Sequence, residues 1–249
     1  MISEIKTRYE GWHRDSLAIT GSTRADTDAL VDLLNQYKSF IDVPNYRKKF
    51  KSQSKLHSSV IEEFMYYLFR RIPGLEPGMT LGNMQAYTNL YFAPASLTAM
   101  GNDCGMSIYT KNQDFAIAKV AELSATPSGQ TEGKKKGVCI PVVSVECKTY
   151  IDKTMYEGAV ATAERIKQGN PYSRFIVVAE FYDVSVNVDP KQSKIDQIYV
   201  LRRQTSHDGK NALNPIDKGV VWQLFSDIRK HLGSKWSNMS GRLAEGLMI

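Results

Sequence analysis

VCIPVVSVECKTY, residues 138–150, is the stretch whose reading decides the fold of this chain. It is rich in β-branched residues and reads as a strand. Side chains alternate across a strand, so Val143, Val145 and Cys147 face one way, into a core. Ser144, Glu146 and Lys148 face the other way. A carboxylate and an ammonium therefore sit side by side near the end of an otherwise apolar strand. Ionised groups in such a place are costly unless they are paired or bound to metal. The competing reading is a solvated strand face that carries a surface ion pair.

Downstream, DKTMYEGAVATAERIKQ (152–168) reads as a helix that Asp152 or Thr154 can cap and that Gly169-Asn170-Pro171 ends. Its Ala159, Val160, Ala163 and Ile166 have the spacing to pack on a sheet. RFIVVAEFY (174–182) is an apolar run suited to a buried strand, and DQIYVLRRQ (196–204) is a further strand. DKGVVWQLFSDIRKHLG (217–233) is an amphipathic helix with Gly233 at its end.

Upstream, ADTDALVDLLNQYKSF (25–40) and SSVIEEFMYYLFRRI (58–72) have helical spacing, the first with Asp26 or Thr27 at its start. Between about 75 and 100 the pattern is mixed, and QAYTNLYF is either strand or irregular. DCGMSIY (103–109) reads as a short strand, DFAIAKVAEL (114–123) as strand or helix, and SATPSGQTEGKKKG (124–137) as a loop. Strands interleaved with helices predict an α/β fold, a mixed central sheet flanked by helices with an N-terminal helical region. The whole chain, 1–249, is expected to form one domain. Within it, 1–57 is a possible helical subdomain and 58–249 the catalytic core.

The 249 residues are 42% hydrophobic and 23% charged, which excludes a disordered chain. The net charge of +6 is compatible with a polyanionic partner but modest for this length. Cys104, Cys139 and Cys147 form no CxxC pair, and the histidines are scattered, so a zinc site is not expected. The cysteines read as reduced, mostly buried small residues. The N-terminus lacks the apolar core of a secretory signal, and no segment approaches the roughly 18 to 20 apolar residues of a membrane span. These features predict a soluble, cytoplasmic protein with no membrane partner.

Asp103, in GNDCGMSIY, is the second candidate carboxylate, although Asn and Asp also favour such turns. Two carboxylates and a lysine on adjacent strands can hold Mg²⁺, which prefers oxygen ligands, keeps several waters and needs only one or two carboxylates. Asp103 and Glu146 are then metal ligands. Lys148 stabilises developing negative charge or positions the attacking water. Asp114 is the alternative to Asp103. For contact with nucleic acid the candidates are Lys48, Lys49 and Lys51 in the run 47–55, Lys135 in the loop, and Arg202 and Arg203 after the IYVL strand. Charge runs are as often plain solvated faces.

The pair Asp103 and Glu146-Cys147-Lys148 resembles the PD-(D/E)xK nuclease superfamily. Asn102 stands where that pattern has proline, and the long separation needs the 124–137 loop to absorb it. Superfamily members often add an acidic residue from an earlier helix, a place that Glu62 or Glu63 fits, with Glu62 preferred. More widely, SSVIEEFMYYLF, GNDCGMSIY and VSVECKTYIDKTMYEGAVATAERIK resemble type II restriction endonucleases related to BbvCI and DdeI. The resemblance implies Mg²⁺-dependent, site-specific cleavage of double-stranded DNA. It also implies a homodimer, or a heterodimer with a related subunit, in which each chain cuts one strand. The alternatives are a structure-specific repair or recombination nuclease of the same fold and a non-catalytic DNA-binding subunit.

Overall fold

The computed structural model describes residues 2–49, 56–185, 189–206 and 213–246. Four helices come first: α1 (Ile2–Ala18), α2 (Arg24–Ile41), α3 (Pro44–Lys49) and α4 (Leu56–Phe69). A sheet follows, of β1 (Met79–Phe92), β2 (Met106–Ala125), β3 (Lys134–Ile151), β4 (Arg174–Tyr182) and β5 (Gln197–Val200). Short α5 (Leu97–Met100) links β1 to β2, and α6 (Lys153–Gly169) links β3 to β4. The chain continues with α7 (Lys218–Leu232) and α8 (Met239–Glu245).

The strands lie in the order β1-β2-β3-β4-β5. β1, β2 and β3 are antiparallel neighbours, whereas β3, β4 and β5 run parallel. The change of sense falls at β3, because α6 provides the crossover that a parallel neighbour requires. This is the mixed sheet expected from the alternation of elements.

Helices cover both faces. On one side α1, α2, α4 and α7 bury Trp12, Leu34, Phe64, Phe69 and Phe225 against Phe115, Val143, Val145 and Cys147. On the other, α6 buries Ala159, Ala163 and Ile166 against Ala86, Phe175, Val177 and Ala179, with Val160 partly buried beside them. The small residues of α6 bring its axis close to the sheet. Asp152 caps it, accepting from the Met155 N–H, and the first helix of the sequence reading is capped by Thr23 in a reciprocal box with Asp26.

Several elements differ from expectation. The segments 106–109 and 114–123 are parts of the single long β2, with 103–105 in the turn before it, and Lys134–Gly137 belong to β3, so the loop is confined to 126–133. The strand expected over 196–204 ends at Val200, and Arg203 adopts a positive φ of 52° in the turn that follows. α1 was not legible in the pattern, since only Trp12 and Ser16 of its residues are buried. The three cysteines are free, with Cys147 buried and the other two partly so.

β2 is irregular where it matters most. Its pairing with β1 steps from Gly82–Ala116 to Met84–Gln113. Asp114 and Phe115 thus lie opposite the single residue Asn83, which is a β-bulge. Bulges bend a strand and re-aim a side chain, and they recur beside active sites. A second irregularity on β1 lies between the pairs Tyr87–Thr110 and Asn89–Tyr109. There the bulged Thr88 is buried, and its hydroxyl donates to the Tyr109 carbonyl at 3.0 Å.

Candidate active site

β3 positions the centre. Val143, Val145 and Cys147 enter the larger core, as the alternation required. Glu146 and Lys148 take the opposite face. They pair in register with Val177 and Ala179 of β4, which belong to the α6 core, so both charged side chains lie on the α6 side of the sheet. Their side chains are only 20% and 28% exposed, enough screening to make pairing worthwhile and enough access to admit a substrate.

Lys148 Nζ lies 2.9 Å from Glu146 Oε1 and 3.6 Å from Asp114 Oδ2. Asp114 Oδ2 also accepts the backbone N–H of Cys147 at 2.9 Å. The bulge is the local cause: beyond the last β2–β3 pair, Phe115–Val145, the Asp114 carboxylate replaces a ladder carbonyl as acceptor. Partial burial acts to lower the pKa of Lys148, but the carboxylates of Glu146 and Asp114 outweigh it and hold the ammonium above its ordinary value. Lys148 is therefore charged at neutral pH.

Asp103 is not part of this group. Its carboxylate pairs with Lys134 and accepts the Gly105 N–H at 3.0 Å, in the turn before β2. The Lys134 hydrogen bond, with help from the Gly105 N–H, holds it below the usual aspartate range. The structure thus places Asp114, the alternative of the sequence reading, beside Lys148, and Asp103 apart from it. The signal that separates the two is the bulge, which no local pattern announced.

Glu62 and Glu63 are also told apart. Glu63 points to α1, where it accepts from Tyr9 Oη at 2.9 Å and from Tyr67 Oη, with His13 Nδ1 at 3.2 Å. The Cys147 thiol is pushed well up, first by burial and then by the charges of Asp114 and Glu62. Neighbours on a helix differ by about 100° in direction, which is why only one of the two can do this.

Among the described residues no cluster of three or more His, Cys, Asp or Glu side chains forms a ready metal cage. Two carboxylates from adjacent strands, converging on one cationic group, are nonetheless a fitting donor set for Mg²⁺, which needs few protein ligands. The donors are hard oxygens, and the buried thiol of Cys147 is protonated.

The candidate nucleic-acid residues fare differently. Lys49 is exposed on α3. Lys135 is exposed and 3.0 Å from Glu122. Arg203 is exposed and 3.3 Å from Asp217. Arg202 is the correction: it is 4% exposed and donates to Glu180 and Asp42, so it is part of the interior. Lys51 and the side chain of Lys48 lie outside the described residues. Glu180 went unnoticed in the sequence, although a lone carboxylate in the apolar run RFIVVAEFY must have a buried cation beside it.

The family to which this chain belongs is shown by its sequence. Residues 53–212 match the family model of the Bpu10I restriction endonuclease. The chain belongs to the Bpu10I restriction endonuclease family. The matched segment spans α4, the whole sheet and α6, and so contains Glu62, Asp114, Glu146 and Lys148. The fold is similar to that of a solved structure described as the native BbvCI A2B2 tetramer at low resolution. The TM-score is 0.72 and the identity 24%, over 92% of this chain and 88% of that one. No curated protein matches the chain. Within this endonuclease fold, no helix among the described residues is long and apolar enough to cross a membrane.

Proposed function

We propose that the chain, acting as one nuclease domain over 1–249, is a type II restriction endonuclease that hydrolyses phosphodiesters at specific sites in double-stranded DNA with Mg²⁺. The observation that carries the reading is the convergence of Asp114, Glu146 and Lys148 at the β2 bulge. Family membership supplies the reaction class.

Asp114 and Glu146 hold the metal in this reading, and Glu62 adds a third negative charge from α4. When bound, Mg²⁺ supplies Lewis acidity toward the phosphate and a water of lowered pKa. Lys148 donates to a non-bridging phosphate oxygen and offsets the charge that builds up there. The Asp114–Cys147 hydrogen bond fixes one carboxylate on the backbone of the strand that carries the other two groups. This preorganisation keeps the three groups in a single geometry as charge develops. One centre cuts one strand, so two chains, like or related, act together on a duplex. The assembled A2B2 form of the fold neighbour supports such pairing.

Supercoiled plasmid incubated with the purified protein and Mg²⁺ is expected to give discrete linear fragments, and none in EDTA. Preference for branched or nicked substrates would replace this reading with a repair nuclease. Binding without cleavage, alone or with a related subunit, would replace it with a DNA-binding subunit.

A further inference from the structure

A cleft of about 360 Å³ opens between α6 and the β1–β2 ribbon, lined by Thr88, Tyr109, Thr110, Lys111, Arg165 and Gln168 together with Asn89. We infer that it is a binding groove for the backbone of the DNA strand being cut, with Lys111 and Arg165 contacting phosphates. The inference rests on the nuclease reading and adds a substrate-contact site outside the catalytic group.

Position supports this first. Lys111 pairs with Ala86, and Ala86 belongs to the α6 core, so Lys111 shares the sheet face of Glu146 and Lys148. Lys111 precedes Asp114 by three residues on the same strand. That separation is about 10 Å at the rise of a strand, or roughly three base steps along a duplex. A strand held at the catalytic group therefore reaches the cleft without leaving the α6 face.

Charge supports it next. The lining has two cations, two amides and three hydroxyls, and no carboxylate. Neither Lys111 nor Arg165 meets an acidic partner among the described residues, unlike Lys134, Lys135 and Arg203. A polyanion is the ligand that such a lining suits. Stacked on Tyr91 with centroids 4.6 Å apart, Tyr109 offers a largely exposed aromatic face at its rim.

Construction supports it last. A Cβ on Gly169 would come within 2.7 Å of the Thr88 carbonyl oxygen, so the end of α6 rests directly on the β1 backbone. Asn170 Nδ2 donates to the Pro141 carbonyl at 2.8 Å and ties the same end to β3. Gln113, buried beneath, donates to the Asn112 carbonyl at 2.9 Å. The groove walls are fixed before any ligand arrives, which lowers the ordering cost of binding.

The test uses the full chain and a mixed-sequence fluorescent DNA duplex, with plasmid cleavage measured in parallel. Lys111→Ala and Arg165→Ala are each expected to weaken duplex binding several-fold. Each should lower the slope of log affinity against log salt by about 0.9. KM for plasmid should rise while kcat at saturating DNA stays within about twofold, and Arg165→Lys should recover most of the binding. Lys235→Ala, an exposed cation outside the cleft, should change nothing. Wild-type affinity and salt slope in both cleft variants, with cleavage intact, would overturn the groove and leave the nuclease reading standing. A fall in kcat alone would also overturn it. Absence of cleavage and of DNA binding in the wild type would overturn both.

Discussion

Asp114→Asn and Lys148→Ala are each expected to lower the cleavage rate at saturating DNA by about 10²–10³-fold, the range seen when one preorganised charge-stabilising group is removed. The Asp114→Asn change would keep the side-chain shape and an oxygen that can still accept the Cys147 N–H, so the loss would reflect charge and not folding. It should also raise the Mg²⁺ concentration needed for half-maximal rate, because the proposed function gives Asp114 one of the two metal-binding carboxylates. Lys148→Ala should leave the Mg²⁺ requirement closer to wild type and act on the rate itself. Asp103→Asn is the control: its carboxylate serves Lys134 and the Gly105 turn, and cleavage should stay within a few-fold of wild type. Initial rates on supercoiled plasmid across a Mg²⁺ series decide the matter. A dead Asp103→Asn beside an active Asp114→Asn would return the metal to Asp103.

The second large effect lies in the interior. Glu180 is 1% exposed and binds two buried cations, with Lys38 Nζ at 2.7 Å and Arg202 Nε at 2.7 Å. Asp42 completes the group, 3.2 Å from Lys38, 2.6 Å from Arg202 and 3.3 Å from His57. Glu180→Ala would leave two buried cations to share the single carboxylate of Asp42, at a cost of about 3–5 kcal/mol. For a chain of this size that corresponds to a fall in Tm of roughly 6–20 °C. The exposed Lys153–Glu157 pair provides the contrast, since its loss should cost about 1 kcal/mol at most. Thermal or urea unfolding of Glu180→Ala and Glu157→Ala measures both, and equal stabilities would refute the argument. Acid adds a check. Burial tends to raise the pKa of Asp42, but His57, Lys38 and Arg202 together hold it below the ordinary aspartate value. Its contribution is thus present above about pH 4 and is lost as pH falls from there through the lowered value.

What the sequence disclosed and what it hid have physical reasons. The Glu146–Lys148 pair was legible because alternation is a property of any strand, and β3 is long and apolar enough to show it. The α6 helix and β4 were legible because both are buried, α6 on one face and β4 on both. β2 was split into two uncertain pieces because the bulge breaks its alternation within the polar TKNQD segment. The same bulge gave Asp114 its place beside Lys148, so the feature that hid the strand also hid this contact. Arg202 was misplaced for a different reason. Its partners Glu180 and Asp42 lie far apart in the chain, and an arginine after a strand looks the same whether it ends in water or in the core.

The doubled residue at Asp114–Phe115 absorbs one extra residue in β2, so Ala116 on one side and Lys111 on the other keep the same face of the sheet. Removing Asp114 would let the ladder close into regular pairing and leave Lys111 opposite Ala86, while taking the carboxylate away from Lys148. Such a shortened chain would keep its sheet and its groove, yet lack the aspartate beside Lys148. Regularity and activity are in opposition at this point of the sheet, so selection for stability alone would erase the enzyme.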